Sequence, residues 1–354
     1  DAQRGGAHDA RVEHVSTKAQ RVPPPLLYDL TTLQRRANTR FGWSAQRTLD
    51  VAQALYETHK VITYPRTDAR HLSGDLRGEV PSVLDALATV EAYGPVARML
   101  RADVPRVGRR VFDDAKVSDH HAIIPTARAP GSARLSPEES RLYDLVARAF
   151  LAAFMPDAEF ELTAVVVAVG AVSAGSAAPP PLTLDEKPDA KPDDAPPERF
   201  VETLPPPPDR FIARGRVRKV AGWQEIAGFA SDDERDAAPL LPSLKVGQRL
   251  AARYASETKR TQPPKRYTEA TLLAAMESCG KQVDDETLRA ALKDAGIGTP
   301  ATRASILETL VRRAYLARRE RALVATPTGE AVIDAIPVPA LRSPELTGRW
   351  EARL

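Results

Sequence analysis

Residues 159–169 (EFELTAVVVAV) and 210–220 (RFIARGRVRKV) are rich in β-branched and aromatic side chains and read as the strongest strands of the chain. What separates them restricts the fold more than either strand does. Residues 173–209 hold 11 of the 31 prolines, eight acids (Asp185, Glu186, Asp189, Asp193, Asp194, Glu198, Glu202, Asp209) and three bases (Lys187, Lys191, Arg199). Proline removes backbone donors and the acids repel one another, so the stretch predicts a solvated, disordered insertion replacing the turn between two antiparallel strands. Its local charge is −5 against +3 for the whole chain, which leaves the remainder at +8. A mildly basic, Arg-rich remainder suits an anionic polymer as partner, although genome base composition alone would also enrich Arg and Ala.

With 354 residues, 43% hydrophobic and 27% charged, the chain can bury a sizeable core and is long enough for two or three domains. Its one cysteine, Cys279, excludes a disulfide framework and a cysteine-rich zinc site and fits a reducing compartment. No apolar run approaches the ~18 residues of a membrane span, so a cytoplasmic protein is expected. The sequence opens at Asp1 without Met or an apolar leader and reads as an excised piece.

Residues 11–16 (RVEHVS) alternate like the end of a strand before the Pro23-Pro24-Pro25 break. Leu33, Ala37 and Phe41, then Ala45, Leu49, Ala52 and Tyr56, recur at helical spacing on either side of Gly42, with Ser44 placed as a cap. Helices follow around 83–89 and 138–154, with a loop at 113–126 between them. Residues 250–257 extend the β region, and 267–277, 286–294, 299–313 and 329–335 read as further helices. The expectation is a multidomain α+β protein: a strand tail (1–26), a helical domain (27–154) inserted in an antiparallel β arch (155–256), and a second helical domain (257–354).

Three motifs carry candidate chemistry. In Val61-Ile62-Thr63-Tyr64-Pro65-Arg66-Thr67-Asp68, a phenol of reference pKa near ~10 is a fair leaving group, so a Tyr–phosphate diester can form and reverse without an energy source. Arg66, two positions on, leaves the same face of an extended segment and could neutralise a phosphorane-like transition state. Taken alone, a Tyr before Pro at a strand end is more often a packed core residue. In Ser118-Asp119-His120-His121-Ala122-Ile123-Ile124-Pro125-Thr126, adjacent imidazoles can contact phosphate or move a proton, but without a third ligand they make a poor metal site. In Gly296-Ile297-Gly298-Thr299-Pro300-Ala301-Thr302-Arg303, Thr299 can cap a helix whose free N–H groups favour phosphate.

Together with PPPLLYDLTTLQRRANTRFGWSAQRTLDVAQALYE, KVITYPRTDARHL, PPKRYTEATLLAAMESCG, LKDAGIGTPATRASILETLVRRAYL and SPELTGRWEARL, these motifs occur in the order found in type IA DNA topoisomerases. The chain resembles that family, most closely its bacterial topoisomerase III branch, over nearly its whole length apart from the insertion and the first residues. The resemblance implies a toroidal architecture and transient cleavage of one DNA strand. Tyr64 would form the 5′-phosphotyrosyl link, Arg66 would neutralise the scissile phosphate, and His120 would contact phosphate near the break. Thr302 and Arg313, with Thr299, Arg303 and Lys60, would hold the single strand. It further implies a monomer acting on single-stranded or underwound DNA, associated with the nucleoid or a plasmid, with a helicase or single-strand-binding protein as possible assistant.

The family's Mg²⁺ is expected through an N-terminal Toprim domain. No Asp-x-Asp-x-Glu cluster occurs in these residues, and Glu13, which precedes Leu27, lies in a strand-like pattern; the fragment alone is therefore expected not to relax DNA. A relaxase would need His separated by an apolar residue, and a tyrosine recombinase a dispersed Arg/His set, and neither is present. A non-catalytic module that binds or gates single strands is the competing reading.

Overall fold

A computed structural model describes residues 8–102, 108–132, 134–169, 209–227, 241–252, 260–279, 286, 296–351 and 353. The chain divides into two compact units: Asp1–Pro23 with Pro156–Gln262, and Pro24–Met155 with Pro263–Leu354. The first is built on a four-stranded antiparallel sheet in the order β3-β2-β1-β4. Strand β1 (His8–Val22) pairs with β2 (Ala158–Val169) from Val22↔Ala158 to Ala10↔Val169, and β2 pairs with β3 (Asp209–Val220) from Glu159↔Val220 to Val169↔Asp209. The two strands expected to flank the insertion are thus neighbours in the sheet; insertion residues 173–208 lie outside the described residues. β1 runs beyond the expected 11–16 because its polar second half is paired residue by residue with β2. β4 (Arg249–Ala252) closes on His8–Arg11, and the expected continuation to 257 lies outside the described residues.

One turn beside this sheet requires glycine. Gly222 has φ +52, and a Cβ there would stand 2.4 Å from the Asp157 carbonyl oxygen. The next residue, Trp223, donates its indole N–H to the Val22 carbonyl at 2.9 Å and pins the end of β1.

The second unit is helical. α1 (Leu30–Phe41) is capped by Asp29, whose carboxylate accepts the Thr32 N–H at 2.6 Å, and ends at Gly42 in the left-handed region. α2 (Ala45–Glu57) starts at Ser44, which accepts the Arg47 N–H at 3.0 Å. α3 (Val80–Leu87) and α4 (Gly94–Ala102) follow; α4 is absent from the sequence expectations. α5 (Pro137–Ala153) opens with a Ser136/Glu139 capping box and is apolar nearly all round, as a helix through a core must be. Phe150 and Phe154 meet edge to face at 5.1 Å, and Phe154 meets Phe112 in the same way at 6.3 Å. α6 (Gln224–Ala227) belongs to the sheet unit.

In the last segment, α7 (Glu269–Glu277) and α8 (Pro300–Arg312) occupy two of the expected helices. A hairpin of β5 (Leu316–Arg319) and β6 (Ala322–Ala325), which periodicity did not suggest, precedes α9 (Pro327–Ala335) and α10 (Glu345–Glu351). The helix expected at 286–294 lies, but for Glu286, outside the described residues. No helix among the described residues is long and apolar enough to cross a membrane.

Candidate active site

Within Lys60–Asp68, residues 61–64, whose β-branched and aromatic run before Pro65 reads as a strand or extended segment, form a single bridge, Ile62↔Pro125. The reason lies in two prolines. Pro65 stops one side, and Pro125 sits opposite Ile62 at a position that needs no donor, so the bonds pass through the neighbours: Thr63 N–H to the Ile124 carbonyl (2.9 Å) and Thr126 N–H to the Val61 carbonyl (3.0 Å). The remaining backbone groups are satisfied by hydroxyls. The Ile124 N–H donates to Thr63 Oγ1 (3.0 Å), and Thr126 Oγ1 donates to the Lys60 carbonyl (2.7 Å). Thr67, 2% exposed, donates its hydroxyl to the His120 carbonyl (2.9 Å) and accepts the Ala69 N–H (3.0 Å).

This clip brings together Tyr64 and His120, which lie far apart in sequence, with ring centroids 4.4 Å apart. Tyr56, the last residue but one of α2, meets the Tyr64 ring edge-on at 5.5 Å. Tyr64 and Arg66 are half-buried on the same segment, and His120 is exposed. The Tyr64 ring is therefore held on two sides without being sealed in the core. Three other phenols differ: Tyr28, Tyr93 and Tyr143 are buried, and burial pushes Tyr28 up to about 12, despite nearby Arg36, Arg40 and Arg70, and raises Tyr93 and Tyr143 too. A phenol so shifted is a poor candidate for forming phenolate. His121 is turned aside, its Nδ1 2.8 Å from the Ala122 carbonyl.

Lys60 adopts the left-handed region (φ +57) at the exit of α2 and places Nζ 5.2 Å from the Tyr56 ring centre. Thr299 and Thr302 are exposed at the start of α8, where Thr302 Oγ1 accepts the Thr299 N–H at 2.9 Å. Arg313 is exposed at the other end of that helix, its N–H bonded to the Thr309 carbonyl. Arg303 is placed differently. It is 4% exposed and donates to the Ile297 carbonyl (3.2 Å) and to Thr31 Oγ1 (3.0 Å), so its guanidinium ties α8 to the start of α1 rather than facing outward. Burial lowers its pKa, opposed by Glu277, Asp29 and Cys279. The same turn is held from the other side, where the Leu30 N–H donates to the Thr67 carbonyl at 3.0 Å. The start of α8 is thus connected to the Tyr64 segment through two hydrogen bonds to one turn.

The sequence motifs did not single out Thr63, Thr67, Thr126 or Tyr56. The available signal was a pair of threonines flanking a Pro-interrupted run, whose backbone cannot be satisfied by a ladder. Among the described residues no three His, Cys, Asp or Glu side chains are grouped to hold a metal ion, so the residues here do not fit Mg²⁺.

The profile of the DNA topoisomerase family matches residues 2–177 and 203–354. The chain belongs to the type IA DNA topoisomerase family. It is 38% identical over 348 residues to a DNA topoisomerase 3 of Shouchella clausii, covering 97% of this chain and 42% of that protein. A DNA topoisomerase 3 of Bacillus cereus is 36% identical over 355 residues, covering 98% of this chain and 43% of the relative. This topoisomerase chain thus spans about two-fifths of the length of the curated relatives it matches. The full-length topoisomerase I of Thermotoga maritima shares its fold, with a TM-score of 0.60 and 22% identity over 93% of this chain and 45% of that one.

Proposed function

We propose that the chain is the tyrosine-bearing core of a topoisomerase that changes DNA topology by transient breakage of one strand. The Tyr64 phenolic oxygen attacks a phosphodiester phosphorus and gives up its proton. The P–O3′ bond breaks, the 3′-hydroxyl leaves with a proton, and the 5′-phosphate stays on Tyr64; reversal reseals the strand with no net cost in bonds. The observation that carries this reading is the Tyr64–His120 ring contact on a clipped segment, beside Arg66 and open to solvent. Arg66 neutralises the phosphate at the break, and His120 contacts it. Thr299, Thr302, Arg313 and Lys60 contact the strand's phosphates, which position it without reading sequence. Arg303 acts as a positioning residue behind them. The toroidal arrangement, action as a monomer and a place at the nucleoid belong to the same proposal.

Metal-assisted religation relies on acids that the described residues do not group, and on this reading residues 1–354 alone leave supercoiled plasmid unrelaxed. In a chimera where they replace the matching stretch of the Bacillus cereus relative, denaturation after incubation with a labelled single-stranded oligonucleotide traps a covalent adduct. Tyr64→Phe abolishes it. An adduct that persists in Tyr64→Phe refutes the assignment, and a chimera that binds the oligonucleotide but never forms an adduct favours a non-catalytic binding module.

A further inference from the structure

Helices α1 and α2, which precede the Tyr64 segment, exchange caps with the helices of Pro263–Leu354. The first-turn N–H groups of a helix have no acceptor within it. At the start of α2, the Ala45 N–H donates to Glu269 Oε2 at 2.7 Å; at the start of α7, the Ala270 N–H donates to Asn38 Oδ1 at 3.1 Å. Each cap is supplied by the other segment, from a residue more than two hundred positions away. Both cap side chains are oriented by a second bond. Asn38 Nδ2 donates to the Trp43 carbonyl at 2.8 Å, which fixes which face of the amide accepts. Glu269 Oε1 accepts Arg318 Nε at 2.8 Å, and Arg318 is itself held by Glu308 at 2.6 Å.

The Glu269 carboxylate is almost fully buried, its charge facing the positive end of α2. Between the caps, Ala45 packs with Leu273, Met276, Ala304 and Leu307. The Ala45 cap is buried and the Ala270 cap part-buried at the edge of that apolar contact, and parting the contact strips both. The two bonds therefore share one opening.

We propose that Asn38 and Glu269 form a two-way latch whose bonds are made and broken together, holding α7 and α8 against the helix that leads to Tyr64. On the proposed function, which supplies the reason for opening, this is where α1 and α2, with the Tyr64 segment behind them, let go; the latch itself needs no DNA and is tested without it.

Residue-resolved amide exchange of the 354-residue chain reads it directly. Of the two caps, Asn38→Ala removes that of Ala270, together with the Trp43 bond, and Glu269→Ala that of Ala45, together with the Arg318 ion pair. A shared latch makes each variant accelerate exchange at both amides, by about tenfold, within the range expected for the loss of one hydrogen bond. Val165 in β2 serves as the control for folding and stays unchanged. Acceleration confined to the amide whose cap was removed overturns the proposal. Should either alanine variant fail to fold, Asn38→Asp, which keeps the acceptor and gives up the Trp43 bond, poses the same question: a shared latch moves Ala45 as well as Ala270, and independent caps move Ala270 alone. Adduct formation is measured separately, so coupled amides without an adduct would refute the chemistry and leave the latch standing.

Discussion

The β2–β3 ladder and the Lys60–Asp68 segment solve the same problem in opposite ways. Along the ladder, consecutive residues from Phe160 to Val169 are paired by backbone alone, and side chains are free to vary within the limits of packing. Around Tyr64 two prolines prevent a ladder, and the backbone is satisfied by three threonine hydroxyls and one bridge. An irregular segment held this way can present a side chain where a strand would bury it. The cost is that single atoms become indispensable.

The largest expected contrast is in activity. Tyr64→Phe removes adduct formation in the chimera while thermal unfolding stays within ~0.5 kcal/mol of the parent, since only a half-exposed hydroxyl is lost. Thr67→Val comes next. It is nearly isosteric but leaves the His120 carbonyl and Ala69 N–H without their partner, so urea unfolding should show a loss of about 2–3 kcal/mol together with weaker cleavage. Cleavage that survives Thr67→Val intact would break the comparison.

Arg303→Met should cost about 1–2 kcal/mol, because Thr31 Oγ1 and the Ile297 carbonyl lose a buried donor while the apolar stem is largely kept. Oligonucleotide affinity should fall less than in Arg313→Ala, whose side chain is exposed; the reverse order in a fluorescence titration would return Arg303 to the strand-contacting set.

A smaller effect is tied to pH. Glu139 caps α5 through Ser136 and meets His59 Nε2 at 3.1 Å. Burial alone would raise its pKa, but the Ser136 amide and hydroxyl and the His59 ring outweigh that and hold it below the ordinary 4.5. A lowered carboxyl stabilises fully above the unfolded value and loses that contribution as pH falls through the folded one. Glu139→Gln should therefore be less stable than the parent by about 1 kcal/mol near neutral pH, and the gap should close below ~4.5 in a melting series. The smallest effect is Thr163→Val in β2: the same chemical change as at Thr67, in a residue placed by backbone pairing, should shift stability by no more than ~0.5 kcal/mol.

Much of the helical unit was legible because its signals are local. Ser44 caps the helix that follows it, Gly42 ends α1, and the apolar spacing from Leu33 to Tyr56 selects the buried face, whereas the Asp29 cap of α1 was not singled out. The β5–β6 hairpin was not legible, since four-residue strands such as LARR carry no alternation and are defined by each other. Arg303 illustrates the limit within the site. Its position at a phosphate-favouring helix start suggested an outward contact, whereas packing against Thr31 turned it inward.

By itself, the sequence determined which residues could do the chemistry, where most helices begin and which two strands flank the insertion. These rest on bonds and periodicities spanning a few residues. Tertiary structure alone decided that the Tyr64 ring lies against His120, that Thr67 holds the segment in place, and that Glu269 and Asn38 complete helices in the other segment. Each of these depends on atoms brought within about 3–5 Å across dozens to hundreds of positions, and no local pattern encodes such a distance.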